Sequence, residues 1–170
     1  KPKIGIVLIP ERNELWVGII GRGAWCENRD GLKKQISFSD RKDISELILV
    51  SSKNHQQSKL LKLISCLSFA ETKKIGSVGC KVASILRGES DVYISLSGQT
   101  SPKDWDMAAP HVLIEASGGA FSHADGTNLI YQNLNYAQSG CLIASHGKSH
   151  QKICQKAMEF FSLEEPSYKV

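Results

Sequence analysis

The residue best placed for chemistry is Asp106, inside "KDWDMAAPHVLIEASGG" at positions 103 to 119. Ala109, Val112, Leu113 and Ala116 recur at i, i+3, i+4 and i+7, one apolar stripe of a helix, and Gly118-Gly119 supplies its stop. Asp106 then falls at or near the N-cap, where a carboxylate accepts backbone N–H bonds and meets the positive end of the helix dipole. Pro110 fixes the start further, because proline is tolerated in or close to the first turn. A carboxylate in that position caps the helix, or it ligates a metal beside N–H groups that welcome phosphate. The two uses are compatible, since a carboxylate has more than one lone pair. Neither explains why the bulky Trp105 stands directly before it.

Two other stretches have the right residue types. "KIGSVGCK" (74 to 81) reads as strand, Gly/Ser turn and helix start. Such a turn presents backbone N–H groups and the Ser77 hydroxyl to a phosphate, with Lys81 one turn later. It lacks the G-x-x-x-x-G-K-[ST] spacing of a P-loop, and a plain strand-to-helix connection with an exposed lysine is the competing reading. "SSKNH" (51 to 55) ends a strand, so Ser52 and His55 face the sheet edge where ligands gather in open α/β folds. A lone histidine also serves as a capping or surface residue. "ADGT" (124 to 127) is expected to be a hairpin turn between two short strands, Asp-Gly being a strong signal for one. His111, His123, His146 and His150 show no metal-like spacing.

The elements that position these residues come in two sets. "KIGIVLI" (3 to 9) and "ELWVGII" (14 to 20) form a hairpin across "PERN", followed by a short strand around Ala24 to Cys26 and a polar connector from 27 to 43. From 46 onward strands and helices alternate. Strands are expected at 46–52, 73–77, 91–96, 120–123, 129–131 and 140–145. Helices are expected at about 56–68, from Val78 to Leu86 with Gly88 after the end, after Asp106, and from Ser149 to Ser162. That alternation predicts an α/β layer with helices on both faces of a sheet, and the opening hairpin belongs to a different sheet.

Composition narrows the functions. The chain has 170 residues, 41% hydrophobic and 22% charged, which suits one soluble globular unit with a proper core. No run approaches the roughly 18 apolar residues of a membrane helix, and no signal-peptide pattern opens the chain, so a cytoplasmic protein with no membrane partner is expected. Five scattered cysteines without a C-x-x-C pair read as reduced core residues. The net charge of +4 suits a small anionic ligand, and the absence of a dense Lys/Arg block argues against a nucleic-acid polymer. The opening "KPKIGIVLIP" has no initiator methionine and enters a strand almost at once, as expected of a piece of something longer.

"WDMAAPHVLIEASGG" resembles the C-terminal signature of the inositol monophosphatase superfamily of metal-dependent, lithium-sensitive phosphatases. Within it, "SSKNH", "IGSVGCK", "DVYISL", "WDMAAP" and "SGCLIAS" are similar in order and spacing to the CysQ-like 3'(2'),5'-bisphosphate nucleotidases of sulfur metabolism. The resemblance implies a layered α/β/α C-terminal domain at 43–170. It also implies that 1–42 is a remnant of an N-terminal α+β domain that the chain lacks. It implies that Asp106 is the catalytic Mg²⁺ ligand, with Trp105 packed beneath it. It implies substrate-binding roles for Ser77 and Lys81 on phosphate and for Ser52 and His55 in a nucleotide-contacting turn. The implied reaction is in-line hydrolysis of 3'-phosphoadenosine 5'-phosphate to AMP and phosphate, without a phosphoenzyme.

The departures matter as much. Family members carry a glutamate pair and a D-P-x-D-G-T motif before the opening strands, and this chain has neither. "SHADGT" (122 to 127) has Ser122 and His123 where that motif needs Asp-Pro, and it follows the helix. One carboxylate cannot fix octahedral Mg²⁺, so the chain alone is expected to be inactive. Ser95 stands where many CysQ-like enzymes have an arginine. No Asp or Glu occurs between Asp91 and Asp104, the region where inositol phosphatases place a carboxylate for the sugar hydroxyls, and Gln99 is the nearest polar substitute. Three alternatives stay open: an inositol monophosphatase-type sugar phosphatase, a non-catalytic phosphonucleotide-binding module, and a homodimer paired through the exposed edge of the hairpin.

Overall fold

The structure is a computed structural model and describes residues 1–53, 58–97, 101–132 and 135–164. The opening hairpin is part of a four-stranded antiparallel sheet in the order β1 (Ile4–Ile9), β2 (Glu14–Ile19), β3 (Gly23–Glu27), β4 (Lys33–Gln35). Its last strand, Lys-Lys-Gln, has no apolar residue, and so it carried no strand signal inside a connector that reads as polar. β1 stands at the sheet edge, with Ile4, Ile6 and Leu8 exposed on the outer face.

The second sheet has five strands in the order β6-β5-β7-β9-β8: β5 (Ile48–Ser52), β6 (Glu71–Ile75), β7 (Val92–Leu96), β8 (Ala120–His123) and β9 (Cys141–Ser145). β5 pairs parallel with both β6 and β7, while β9 runs antiparallel to β7 and β8. Chain direction reverses its spread between β5 and β7, because β6 is added on one side and β7 on the other. The two crossover helices therefore lie on opposite faces, and each face is covered by a pair of helices. α1 (Ser58–Leu67) joins α4 (His150–Glu164) over a core that includes Leu49, Leu63, Ile143 and Phe161. α2 (Val78–Leu86) and α3 (Asp104–Ala116) bury the opposite core, with Val50, Ile85, Leu113 and Leu142, and share it with Trp16 and Cys26 of the first sheet. The expected layers with helices on both faces are present, and the first sheet forms a further layer against α3.

Glycines set how closely that layer approaches. Gly5 and Gly18 face each other across β1 and β2. A Cβ on Gly5 would lie 2.5 Å from the Ala109 carbonyl oxygen, and one on Gly18 would lie 3.1 Å from Leu113 Cα. α3 thus rests directly on strand backbone. Gly79 does the same for α2, since a Cβ there would meet Val7 Cγ1 at 2.9 Å. The connector is pinned from below by Asp91, fully buried. Its carboxylate accepts from Ser39 Oγ, from Arg41 Nε at 2.7 Å and from the Ile48 N–H at 2.7 Å.

Three expectations fail here. Residues 129–131 form no strand; Leu129 is buried without ladder partners. The "ADGT" turn consequently closes no hairpin: β8 pairs with β9, and Asp125 Oδ1 instead accepts from the Thr127 N–H at 2.9 Å. Cys66 is exposed, so the cysteines are not uniformly core residues, although all five are free thiols.

Candidate functional site

The parallel strands β5, β6 and β7 end on the same side of their sheet, and a cleft of about 910 Å³ opens there. In open α/β sheets this end, at the point where strand order reverses, is where ligands sit. Ser52 ends β5, Ser77 follows β6, and Ser95 lies near the end of β7; all three line the cleft, together with Lys81, Trp105 and Asp106. The sequence-derived candidates Ser52, Ser77, Lys81 and Asp106 are therefore brought together. His55 and Gln99 lie outside the described residues.

Lys81 is the chemical centre of this cleft. Only 3% of its surface is exposed, which overturns the reading of an exposed lysine. Its Nζ donates to the Ser77 carbonyl at 3.3 Å and lies 5.3 Å from the Tyr93 ring centroid. Burial pulls its pKa below the ordinary lysine value. Burial likewise raises the Tyr93 phenol, and the negative charge of Asp106 adds to that shift, which puts the two groups in the same electrostatic neighbourhood. Ser77, at the N-cap of α2, has φ +51° and ψ +136° and makes no side-chain capping bond. A non-glycine residue held there is strained, and such strain concentrates at ligand sites. A buried cation, a strained serine turn at a helix start and further hydroxyls make a receptor for an oxyanion.

Asp106 occupies a different place in its helix from the one expected. α3 begins at Asp104 with Lys103 as N-cap, so Asp106 is the third helical residue. Its Oδ2 accepts the Lys103 N–H at 2.8 Å, the returning half of a capping box, and the other oxygen has no such bond from the described residues. Asp104 supplies the anchor that the sequence reading missed. It accepts from the Gln132 N–H and from Gln138 Nε2, each at 2.6 Å, tying α3 to the 130s loop. Polar residues scattered through a coil gave no periodic signal for this. Pro110 sits in the second turn, not the first, and so frees the carbonyl of Asp106 from its helical partner. Trp105 does not pack beneath Asp106: it is 68% exposed. Successive helical residues are rotated by about 100°, so the indole need not lie under the neighbouring carboxylate, and here it is exposed at the cleft.

The described residues do not by themselves build a metal centre. Among the described residues no group of three or more His, Cys, Asp or Glu side chains is placed to hold an ion. Asp106 offers one oxygen, and octahedral Mg²⁺ needs more protein or substrate ligands than that.

The chain's relatives fit this geometry. The Inositol monophosphatase family matches residues 1–160. The 3'(2'),5'-bisphosphate nucleotidase CysQ of Buchnera aphidicola is 29% identical over 142 residues, covering 82% of this chain and 51% of that protein. Inositol monophosphatase 3 of Xenopus laevis is 27% identical over 171 residues, covering 96% of this chain and 44% of that one. A dual-specific IMPase/NADP phosphatase, solved bound with D-inositol-1-phosphate, shares the fold with a TM-score of 0.69 at 19% identity, over 99% of this chain and 58% of that chain. The chain thus spans about half the length of the relatives it matches. With a family match over residues 1–160 and a cleft at the expected strand ends, the chain belongs to the inositol monophosphatase family, whose members are phosphatases.

Proposed function

We propose that the protein of which this chain is the pocket-bearing part is a Mg²⁺-dependent 3'(2'),5'-bisphosphate nucleotidase. Lys81 carries the reading: it is a buried cation whose one hydrogen-bond partner among the described residues is a backbone carbonyl 3.3 Å away, and an anion is what completes it. Ser77 and the first turn of α2 hold the same phosphate, and Ser52 and His55 contact the rest of the nucleotide. Asp106 supplies one ligand to the metal, and the remaining ligands come from the part of the fold that longer relatives carry. On this division residues 1–42 complete that other part and 43–170 form the substrate domain. The chain by itself binds without hydrolysing. The lack of any carboxylate between Asp91 and Asp104 favours a nucleotide over inositol phosphate.

The test is phosphate release from 3'-phosphoadenosine 5'-phosphate in Mg²⁺, measured on the longer protein and on its Asp106→Asn variant. The variant is expected to lose at least a hundredfold in kcat, the scale of removing one transition-state electrostatic contact. Retained turnover contradicts the role given to Asp106.

A further inference from the structure

We propose that Arg87 is a positioning residue for the Ser77 turn: it closes a charged clamp with Glu14, Glu89 and Arg12 at the far end of α2, and that clamp sets how tightly the cleft holds a phosphate ester. The proposal rests on the reading of the cleft as a phosphate-ester site.

The turn has no lock of its own. Ser77 holds φ +51° without a side-chain capping bond, and strain of that kind persists only where the surroundings over-determine the backbone. Its two arms are held elsewhere, and both lead to the same place. α2 has nine residues, a length of about 13 Å, and ends on Arg87 as its C-cap. β6, which leads into the turn, is tied there too, because Lys73 Nζ donates to the Glu89 carbonyl at 2.9 Å.

At that end Arg87 Nη1 donates to Glu14 Oε2 at 2.6 Å, and Arg87 Nη2 donates to Glu89 Oε2 at 3.0 Å. Arg12 Nη1 shares Glu89 through its other oxygen, at 3.2 Å. Glu14 Oε2 also accepts from Trp16 Nε1 at 3.0 Å, and the Arg87 guanidinium carbon lies 5.8 Å from the Trp16 ring centroid. Arg12 and Glu14 belong to the β1–β2 hairpin, so these pairs join α2 to the first sheet. Only 14% of the Arg87 side chain and 18% of the Glu14 side chain are exposed, which shields the pair from the screening that weakens surface ion pairs. Burial pushes the Glu89 carboxyl up, and the two guanidinium groups more than offset it, leaving it below its ordinary range. Gly79 seats the other end of α2 against Val7 of β1. A helix fixed at two points on one hairpin resists both sliding and turning, and it holds the Ser77 turn and Lys81 with it. One guanidinium fork reaching two carboxylates is a geometry that a lysine does not supply.

Calorimetric titration of adenosine 3',5'-bisphosphate into this chain tests the clamp, using wild type, Arg87→Met, Glu14→Gln and the double variant, each well below its melting temperature. Arg87→Met and Glu14→Gln are each expected to bind roughly fivefold more weakly, the low end of couplings between separated sites. The double variant is expected to bind no more weakly than Arg87→Met, since both substitutions open the same clamp. Glu14→Gln is the deciding variant, and its milder change keeps the test decisive where Arg87→Met fails to fold. Removing a negative charge favours an anion through the long-range field, whereas opening the clamp disfavours it. Ile153→Val, in the opposite core, supplies a destabilised control that is expected to keep wild-type affinity. Unchanged or tighter binding by folded Glu14→Gln overturns the proposal, as does an equal loss in Ile153→Val; Arg87 then serves stability alone. If wild type does not bind, the phosphate-ester reading of the cleft itself fails, and the positioning role falls with it.

Discussion

Lys81 shows what a single position does for stability and for binding in opposite directions. Burying an ammonium group that has no carboxylate partner among the described residues disfavours its charged form, which is why burial lowers its pKa. Replacing it by methionine keeps the stem and removes the desolvated charge. Lys81→Met is therefore expected to raise the melting temperature of the ligand-free chain by roughly 2 to 4 °C, the shift about 1 kcal/mol gives in a chain of this size. Thermal unfolding followed by circular dichroism checks it, and a lowered midpoint contradicts it. Only part of this was legible in the sequence. "KIGSVGCK" showed a turn that could hold phosphate, although glycine and serine also serve at a plain strand-to-helix connection. It could not show that Lys81 turns inward, since that depends on Gly79 letting α2 close onto Val7.

The placement of α3 follows from the strands beneath it. The helix was visible in its apolar spacing, but the surface it rests on was not: Gly5 and Gly18 sit in strand-forming runs where glycine is normally a weakness. Their pairing across β1 and β2 becomes meaningful only once α3 is laid over them. A Gly5→Ala substitution drives a methyl group to within 2.5 Å of the Ala109 carbonyl, and backbone cannot rotate away as a side chain can. The variant is expected to lose on the order of 1–3 kcal/mol, read from its urea midpoint. It is also expected to weaken phosphate-ester binding, because α3 carries Asp106 and Trp105. A variant as stable as wild type shows that β1 does not bear on α3 so closely. β4 and the Asp104 anchors escaped the sequence reading for a related reason. β4 is polar throughout, and the Asp104 partners Gln132 and Gln138 are polar and distant in the chain, so neither periodicity nor propensity marks them.

The molecule as a whole is built to be stable near neutrality and to lose stability on acidification. His111, His123, His146 and His150 all have pKa values lowered, with burial the largest cause in each. His150 is pushed down to about 4, where it bridges Ser122 Oγ at 2.8 Å and Ser145 Oγ at 2.9 Å. Between an ordinary histidine pKa near 6.5 and the folded value, the unfolded chain binds a proton that the folded chain does not. Stability therefore falls as pH falls through that window, with His150 contributing on the order of 3 kcal/mol once the pH is below 4. Asp125 and Glu115, whose carboxyls are held below their usual range despite burial, act with the same sign at lower pH. Unfolding free energy measured across pH 7 to 4 is expected to decline, and less steeply in His150→Asn. The slope is the readout, so a lower overall stability of the variant does not blur it; an unchanged slope contradicts the assignment. The layered architecture itself was readable from strand–helix alternation, since covering both faces of a sheet leaves few other arrangements.

The central claim, that Lys81 and the Ser77 turn receive a phosphate ester, is tested most directly by titrating adenosine 3',5'-bisphosphate into this chain and into Lys81→Met at low salt. Measurable binding by the wild-type chain and at least a tenfold loss in the variant, alongside its higher melting temperature, is the predicted result. Equal affinity in a folded Lys81→Met variant would show that the buried lysine is structural and that phosphate, if it binds, is held elsewhere.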